Sequence, residues 1–167
     1  MVGTVATSPM AIHLVRHAKA GSRPDWHQPD DLRPLTNGGL VQAAAVADAL
    51  VPLDVTRILT SRYARCVQTV QPLADKLGLD VEAHAALAEE ASLDKAFALF
   101  EEVAASGCET VLCSHGNVIP AILDRLQRQG IALVADAWSC HKGSVWTVEV
   151  DGGAATRAVL TLDRARG

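Results

Sequence analysis

The sequence predicts an α/β fold in three layers, a mainly parallel sheet flanked by helices on both faces. Three observations predict it. Segments of strand character alternate with segments of helical character along most of the 167 residues, and that alternation builds parallel sheets covered by helices. The segments at 11–16 and 109–114 are nearly unbroken apolar runs, as strands buried on both faces are. Hydrophobic content is 49% and charged content 20%, an ordinary globular balance in a chain long enough for one well-buried core.

Each element has its own signal. Residues 11–16 form a first strand, apolar apart from His13. The stretch 18–35 is polar and carries Pro24, Pro29 and Pro34, which suits a long loop. Thr36 or Asn37 caps a helix running to about Val51, where Pro52 stops it, with Leu40, Ala43, Ala44, Ala47, Leu50 and Val51 on its apolar face. Residues 57–60 are a second strand, and a helix runs from about Tyr63 to Leu77 before Gly78. Residues 80–83 are a short third strand, and Ser92 caps a helix to about Ser106. A fourth strand spans 109–114, Gly116 turns the backbone, and Asn117 caps a helix that tolerates Pro120 in its first turn and ends near Gly130. Residues 145–150 and 156–162 alternate as a terminal hairpin around Asp151-Gly152-Gly153. Residues 1–10 read as a flexible tail and 11–167 as a single domain.

Charge and composition narrow the function. A formal charge of −4 argues against nucleic-acid binding, which needs a basic face. No apolar stretch reaches the length of a membrane span, and no signal peptide is legible at the start, so a cytoplasmic protein is expected. Cys66, Cys108, Cys113 and Cys140 form no Cys-x-x-Cys pair. Cys66 and Cys113 read as small buried groups in a reducing compartment.

The chemistry concentrates where strands end. Arg16-His17 closes the first strand, Arg65 falls in the first turn of the helix after the second, and His115 stands just past the fourth. In open α/β sheets, ligands bind outside the carboxyl ends of the strands, so one rim gathers all of these residues. Imidazole is a competent nucleophile toward phosphorus, and guanidinium clamps phosphate oxygens bidentately. Arg16 and Arg65 then serve as phosphate ligands, with His115 as a further donor. His13, His27 and His84 read as structural. A metal at His17 and His115 is not expected, because no carboxylate or thiol sits at ligand spacing and neighbouring arginines repel cations.

Four ordered motifs, Arg16-His17-Ala18, Ser61-x-x-x-Arg65-x-x-Gln68-Thr69, Leu87-x-Glu89 and Ser114-His115-Gly116, resemble those of the histidine phosphatase, or phosphoglycerate-mutase-like, superfamily from about residue 11 to about residue 150. Arg16-His17-Ala18-Lys19 with Arg33-Pro34-Leu35 looks most like the SixA-type branch. His141 to Trp146 is similar to the phosphatase half of two-domain MutT-type nucleotide hydrolases, although no Nudix domain is present here. The resemblance implies a phosphoglycerate-mutase-like fold and a phosphatase that needs no cofactor. His17 attacks phosphorus in line and becomes phosphohistidine; Glu89, with Glu90 as the adjacent alternative, protonates the leaving oxygen and then activates water. His17 must be neutral at the attacking nitrogen, with the other nitrogen donating to a backbone carbonyl.

Lys19, Arg62 and Lys142 depart from the commonest family pattern and suggest a substrate with more than one phosphate or acidic group. The expected partner is a phosphorylated small molecule or a phosphohistidine protein, bound by a monomer or weak dimer. A phosphoglycerate mutase and a non-catalytic phospho-binding module are the alternatives. The short loops argue against the mutase, which needs a closed site.

Overall fold

A computed structural model describes residues 9–163. Seven strands make one sheet in the order β3-β2-β4-β1-β6-β7-β5. They are β1 (Met10–Arg16), β2 (Arg57–Thr60), β3 (Val81–Ala83), β4 (Thr110–Ser114), β5 (Ala132–Val134), β6 (Val145–Asp151) and β7 (Ala154–Leu162). β1, β4, β2 and β3 pair in parallel, β6 runs antiparallel to β1 and to β7, and β5 lies parallel to β7. The predicted class holds, with β6 as the one reversed strand.

The helices are α1 (Asn37–Leu50), α2 (Ala64–Leu77), α3 (Leu93–Ser106) and α4 (Ile119–Arg128). Strand residues alternate between two cores, as a pleated strand requires. Ile12 and Leu14 of β1 join Phe97, Phe100, Ile119 and Leu123 from α3 and α4. Val15 joins Val46, Leu50, Val70 and Leu73 from α1 and α2 on the other face. Each helix therefore covers a sheet face with an amphipathic stripe, and the loops between strand ends and helix starts are left free to build a site.

Several boundaries differ from the sequence expectations. β1 begins at Met10, so the tail expected over 1–10 is at least one residue too long; residues 1–8 lie outside the described residues. Thr36 caps α1 by accepting from the Gly39 amide at 3.0 Å, but the buried face is Gly39, Gln42, Ala43, Val46, Ala47 and Leu50. Leu40 and Ala44 point outward. The cause is the loop beneath: a Cβ at Gly39 would fall 2.0 Å from the Lys19 carbonyl oxygen, and Gln42 Oε1 accepts from the Lys19 amide at 2.8 Å. Close approach at Gly39 sets the helix rotation. Asn117 does not cap α4, whose cap position is Val118. β5 and the 3₁₀ turns at Asp30–Leu32 and Ala85–Leu87 carry no sequence expectation.

Candidate active site

The carboxyl ends of β1, β2 and β4 meet at one rim. There a hollow of about 550 Å³ is lined by Arg16, His17, Arg23, Arg33, Glu89, His115 and Lys142, among others. The volume falls in the range of small-molecule sites, roughly 300–1,000 Å³. His17 and His115 face each other edge to face with ring centroids 5.4 Å apart.

His17 Nδ1 donates to the Ala18 carbonyl oxygen at 2.8 Å. That bond fixes the tautomer and leaves Nε2 with a free lone pair. Burial, together with the charges of His115, Arg65 and Arg16, pushes the His17 pKa down to about 3, although the Ala18 bond opposes the shift. The ring is therefore a neutral base at any physiological pH.

The Ser61–Thr69 segment divides its work along one helix start. Ser61 Oγ accepts from the Tyr63 amide at 3.3 Å and lies 2.8 Å from His115 Nε2. Four residues on, Arg65 projects from the first turn of α2, where the helix N-terminus also favours an anion. Gln68 Oε1 accepts from the Leu35 amide at 2.8 Å and pins the long loop. Thr69 Oγ1 accepts from the Ala18 amide at 2.9 Å, which holds the residue after His17.

Arg65 is 1% exposed. Its Nη2 donates to Glu89 Oε2 at 2.7 Å and to Asp30 Oδ2 at 3.0 Å, and its Nη1 donates to the Asp30 carbonyl oxygen at 2.9 Å. Partial burial works to raise the Asp30 carboxyl pKa, but the Arg33 and Arg65 guanidiniums outweigh it and hold it below the ordinary value. Arg16 Nη1 donates to the Cys140 carbonyl oxygen at 2.7 Å. Its guanidinium also lies over Gly116, where a Cβ would come within 2.6 Å of Arg16 Cζ. Three buried nitrogens, Arg16 Nε and His115 Nδ1 on residues that line the hollow and Arg65 Nε behind it, have no hydrogen-bond partner among the described residues. Leaving such groups unmade costs about 1–3 kcal/mol each.

Of the two neighbouring glutamates, Glu89 faces the hollow, 3.9 Å from His115 Nδ1 and 2.8 Å from Arg23 Nη2. Ser114 Oγ donates to the Leu87 carbonyl oxygen and Asn117 Nδ2 to that of Glu89, so the end of β4 carries the Leu-x-Glu turn. Glu90 is exposed and bonds to Arg62 at 2.6 Å and to the Tyr63 hydroxyl at 2.8 Å. Its own backbone amide, with Tyr63 and Arg62, pulls the Glu90 pKa down to about 2.

Lys142 lines the hollow; Lys19 and Arg62 are absent from its lining, and so is Arg65, which is buried behind it. No group of His, Cys, Asp and Glu side chains suited to a metal ion occurs among the described residues. Asp30, Arg23 and Asn117 were not anticipated: they sit on loops at no motif spacing, and the only clue was the acid pair Asp30-Asp31 just before Arg33. The remaining histidines have structural partners or lie outside the site. His13 bonds Thr147 and Glu109, His84 accepts from the Ala86 amide, and His27 is exposed. Cys66 and Cys113 are buried and free. No helix among the described residues is long and apolar enough to cross a membrane.

Comparison with known proteins places this arrangement. An 8-oxo-(d)GTP phosphatase of Mycolicibacterium smegmatis is 30% identical over 143 residues, covering 84% of this chain and 44% of that protein. An uncharacterized protein of Mycobacterium tuberculosis is 34% identical over 89 residues, covering 48% of this chain and 41% of its own. The chain thus spans under half the length of these curated relatives. Among solved structures, the protein histidine phosphatase SixA complexed with tungstate superposes with a TM-score of 0.71 at 22% identity, over 88% of this chain and 93% of its own. A mycobacterial glucosyl-3-phosphoglycerate phosphatase superposes at 0.68 with 16% identity, over 95% and 100%. These two establish the fold. The model of the histidine phosphatase superfamily (branch 1) matches residues 12–92, a span holding the Arg16-His17 pair, the Ser61–Thr69 segment and the Leu-x-Glu turn. The fold likeness extends on through the Ser114-His115-Gly116 end of β4, so this chain is similar to the histidine phosphatase superfamily (branch 1) over residues 12–92 and to these two phosphatases in fold over 88% and 95% of its length.

Proposed function

We propose that this protein is a phosphatase that hydrolyses phosphate esters, phosphoramidates or phosphoanhydrides through a phosphohistidine at His17. One observation carries the proposal. Three buried nitrogens without a hydrogen-bond partner among the described residues, on Arg16, Arg65 and His115, surround an imidazole held neutral with one nitrogen free. A phosphoryl group supplies the acceptors those donors lack. Structures of the fold neighbours contain tungstate, VO3 and inorganic phosphate.

In the reaction, His17 Nε2 attacks phosphorus as the bond to the leaving oxygen breaks. Phosphoryl transfer passes through a loose transition state whose charge lies on the equatorial oxygens, so positioned cations do most of the work. Arg16, Arg65 and His115 take those oxygens. Glu89 gives a proton to the departing oxygen, then takes one from the water that attacks phosphohistidine. The hollow's rim is exposed at Arg23, Asn117 and Lys142, which suits entry of water and favours hydrolysis over transfer within a closed mutase site.

The test is label transfer. Incubation with a ³²P-labelled phosphoryl donor and alkaline quenching, which preserves phosphohistidine, should give labelled protein. His17→Ala should carry no label and have no turnover. Undiminished turnover by His17→Ala would overturn the proposal.

A further inference from the structure

The hollow holds more positive charge than one phosphate needs. Arg16, Arg23, Arg33 and Lys142 line it, with Arg65 behind. Among the described residues only two carboxylates, Asp30 and Glu89, pair with these five cations, a surplus of three in a chain whose net charge is −4. A phosphomonoester brings about two negative charges at neutral pH.

The surplus has a definite place. Arg23, Arg33 and Arg65 share the two carboxylates, whereas Lys142 makes no ion pair or hydrogen bond among the described residues. Lys142 is nonetheless held in position. The next amide, Gly143, donates to the Arg16 and His17 carbonyl oxygens at 3.0 and 3.1 Å, and the Arg16 amide donates to Ser144 O at 3.2 Å. The backbone around Lys142 is therefore fastened to the end of the nucleophile's own strand. Gly143 has φ +81°, and a Cβ there would press on Gln42 at 3.1 Å, so the tight turn needs glycine. Arg33 is 6% exposed, donating from Nε to Asp30 at 3.0 Å and from Nη1 to Gly21 O at 2.5 Å. Its Nη2 makes no hydrogen bond among the described residues. Partial burial and the neighbouring charges of Arg16, Arg33, Lys19 and Arg23 lower the Lys142 pKa, as expected of a cation lacking a counter-charge.

We propose that Lys142 and Arg33 form a second anion subsite beside the His17 site, which takes the inner phosphate of a diphosphate ester, so that the favoured substrate class is a phosphoanhydride such as a nucleoside diphosphate. This rests on the reading of His17 as phosphoryl acceptor. The terminal phosphorus gains the bond to His17 Nε2 and loses the bridging oxygen. The electron pair leaves with the inner phosphate, whose developing charge Lys142 and Arg33 neutralise. Water then cleaves the N–P bond, releasing inorganic phosphate and restoring neutral His17.

Titration calorimetry with methylenebisphosphonate and methylphosphonate isolates the subsite without a base or a reaction. Wild type should bind the bisphosphonate more tightly. Lys142→Ala should reduce that preference about tenfold, the scale of one charge-assisted hydrogen bond, and Lys142→Arg should retain most of it. The ratio of kcat/KM for ADP over AMP should move in parallel. An unchanged preference in Lys142→Ala, or an equal loss for both ligands, would overturn the subsite. Label transfer from acetyl phosphate to His17 runs alongside. Label with no bisphosphonate preference sinks the subsite alone, and a preference with no label sinks the phosphohistidine reading alone.

Discussion

His17 and Arg65 are each costly to bury alone and are made tolerable by a named neighbour. For Arg65 the neighbour is Asp30, which takes two of its donors through a side chain and a carbonyl. For His17 the neighbour is the Ala18 carbonyl, and the ring stays uncharged. Its folded pKa of about 3 lies below the unfolded value of 6.5. As pH falls through 6.5, the unfolded chain takes up a proton that the folded chain refuses, so stability is lost on the acid side. His13, whose pKa burial also lowers, acts in the same direction. For His17 the loss between pH 7.5 and 5 is roughly 2 kcal/mol. Urea unfolding of His17→Asn should show a smaller acid-side loss than wild type by about that amount. The same pH slope in both proteins would contradict the neutral ring, as would ¹⁵N shifts of His17 reporting protonation at pH 6.

At the scale of the element, the start of α2 shows why one helical turn matters. Arg65 and Thr69 lie four residues apart on one face, so the helix that buries a cation behind the hollow also fastens the backbone beside His17. Thr69→Val removes the acceptor of the Ala18 amide and leaves a buried N–H unpaired. The expected cost is about 1–3 kcal/mol, or a fall in Tm of roughly 2–10 °C. Turnover should fall further than the thermal loss explains; calorimetry and kinetics on the same variant check both. The same scale explains what the sequence made legible. Arg65, Gln68 and Thr69 are readable because a helix fixes their spacing and each has one task, with Ser61 in the turn just before it. Asp30 and Arg33 meet Arg65 and the hollow only through the path of a proline-studded loop, which periodicity does not encode. β5 is three residues at a sheet edge with no fully buried position, too short for alternation to appear. The outward turn of Leu40 follows from the Gly39 contact with Lys19, a long-range constraint that helix periodicity does not contain.

For the whole molecule, the site is a property of the sheet's centre. β1 is paired on one edge to β4 and on the other to β6, and the hollow draws residues from positions 16 to 142. An oxyanion that satisfies the orphaned donors binds only the assembled fold and stabilises it by mass action. At a hundredfold excess over Kd, orthovanadate should add about 2.7 kcal/mol, a rise in Tm of roughly 5–10 °C. Arg16→Gln should reduce that rise, and differential scanning calorimetry measures it; an unshifted wild-type transition would contradict the reading. The position of β1 also sets an order of events in the cell. His17 is made well before residues 145–151, yet its strand gains its second edge only when they pair with it. On the ribosome, His17 must wait for some 125 further residues, up to Lys142, to be read before it has a site to belong to.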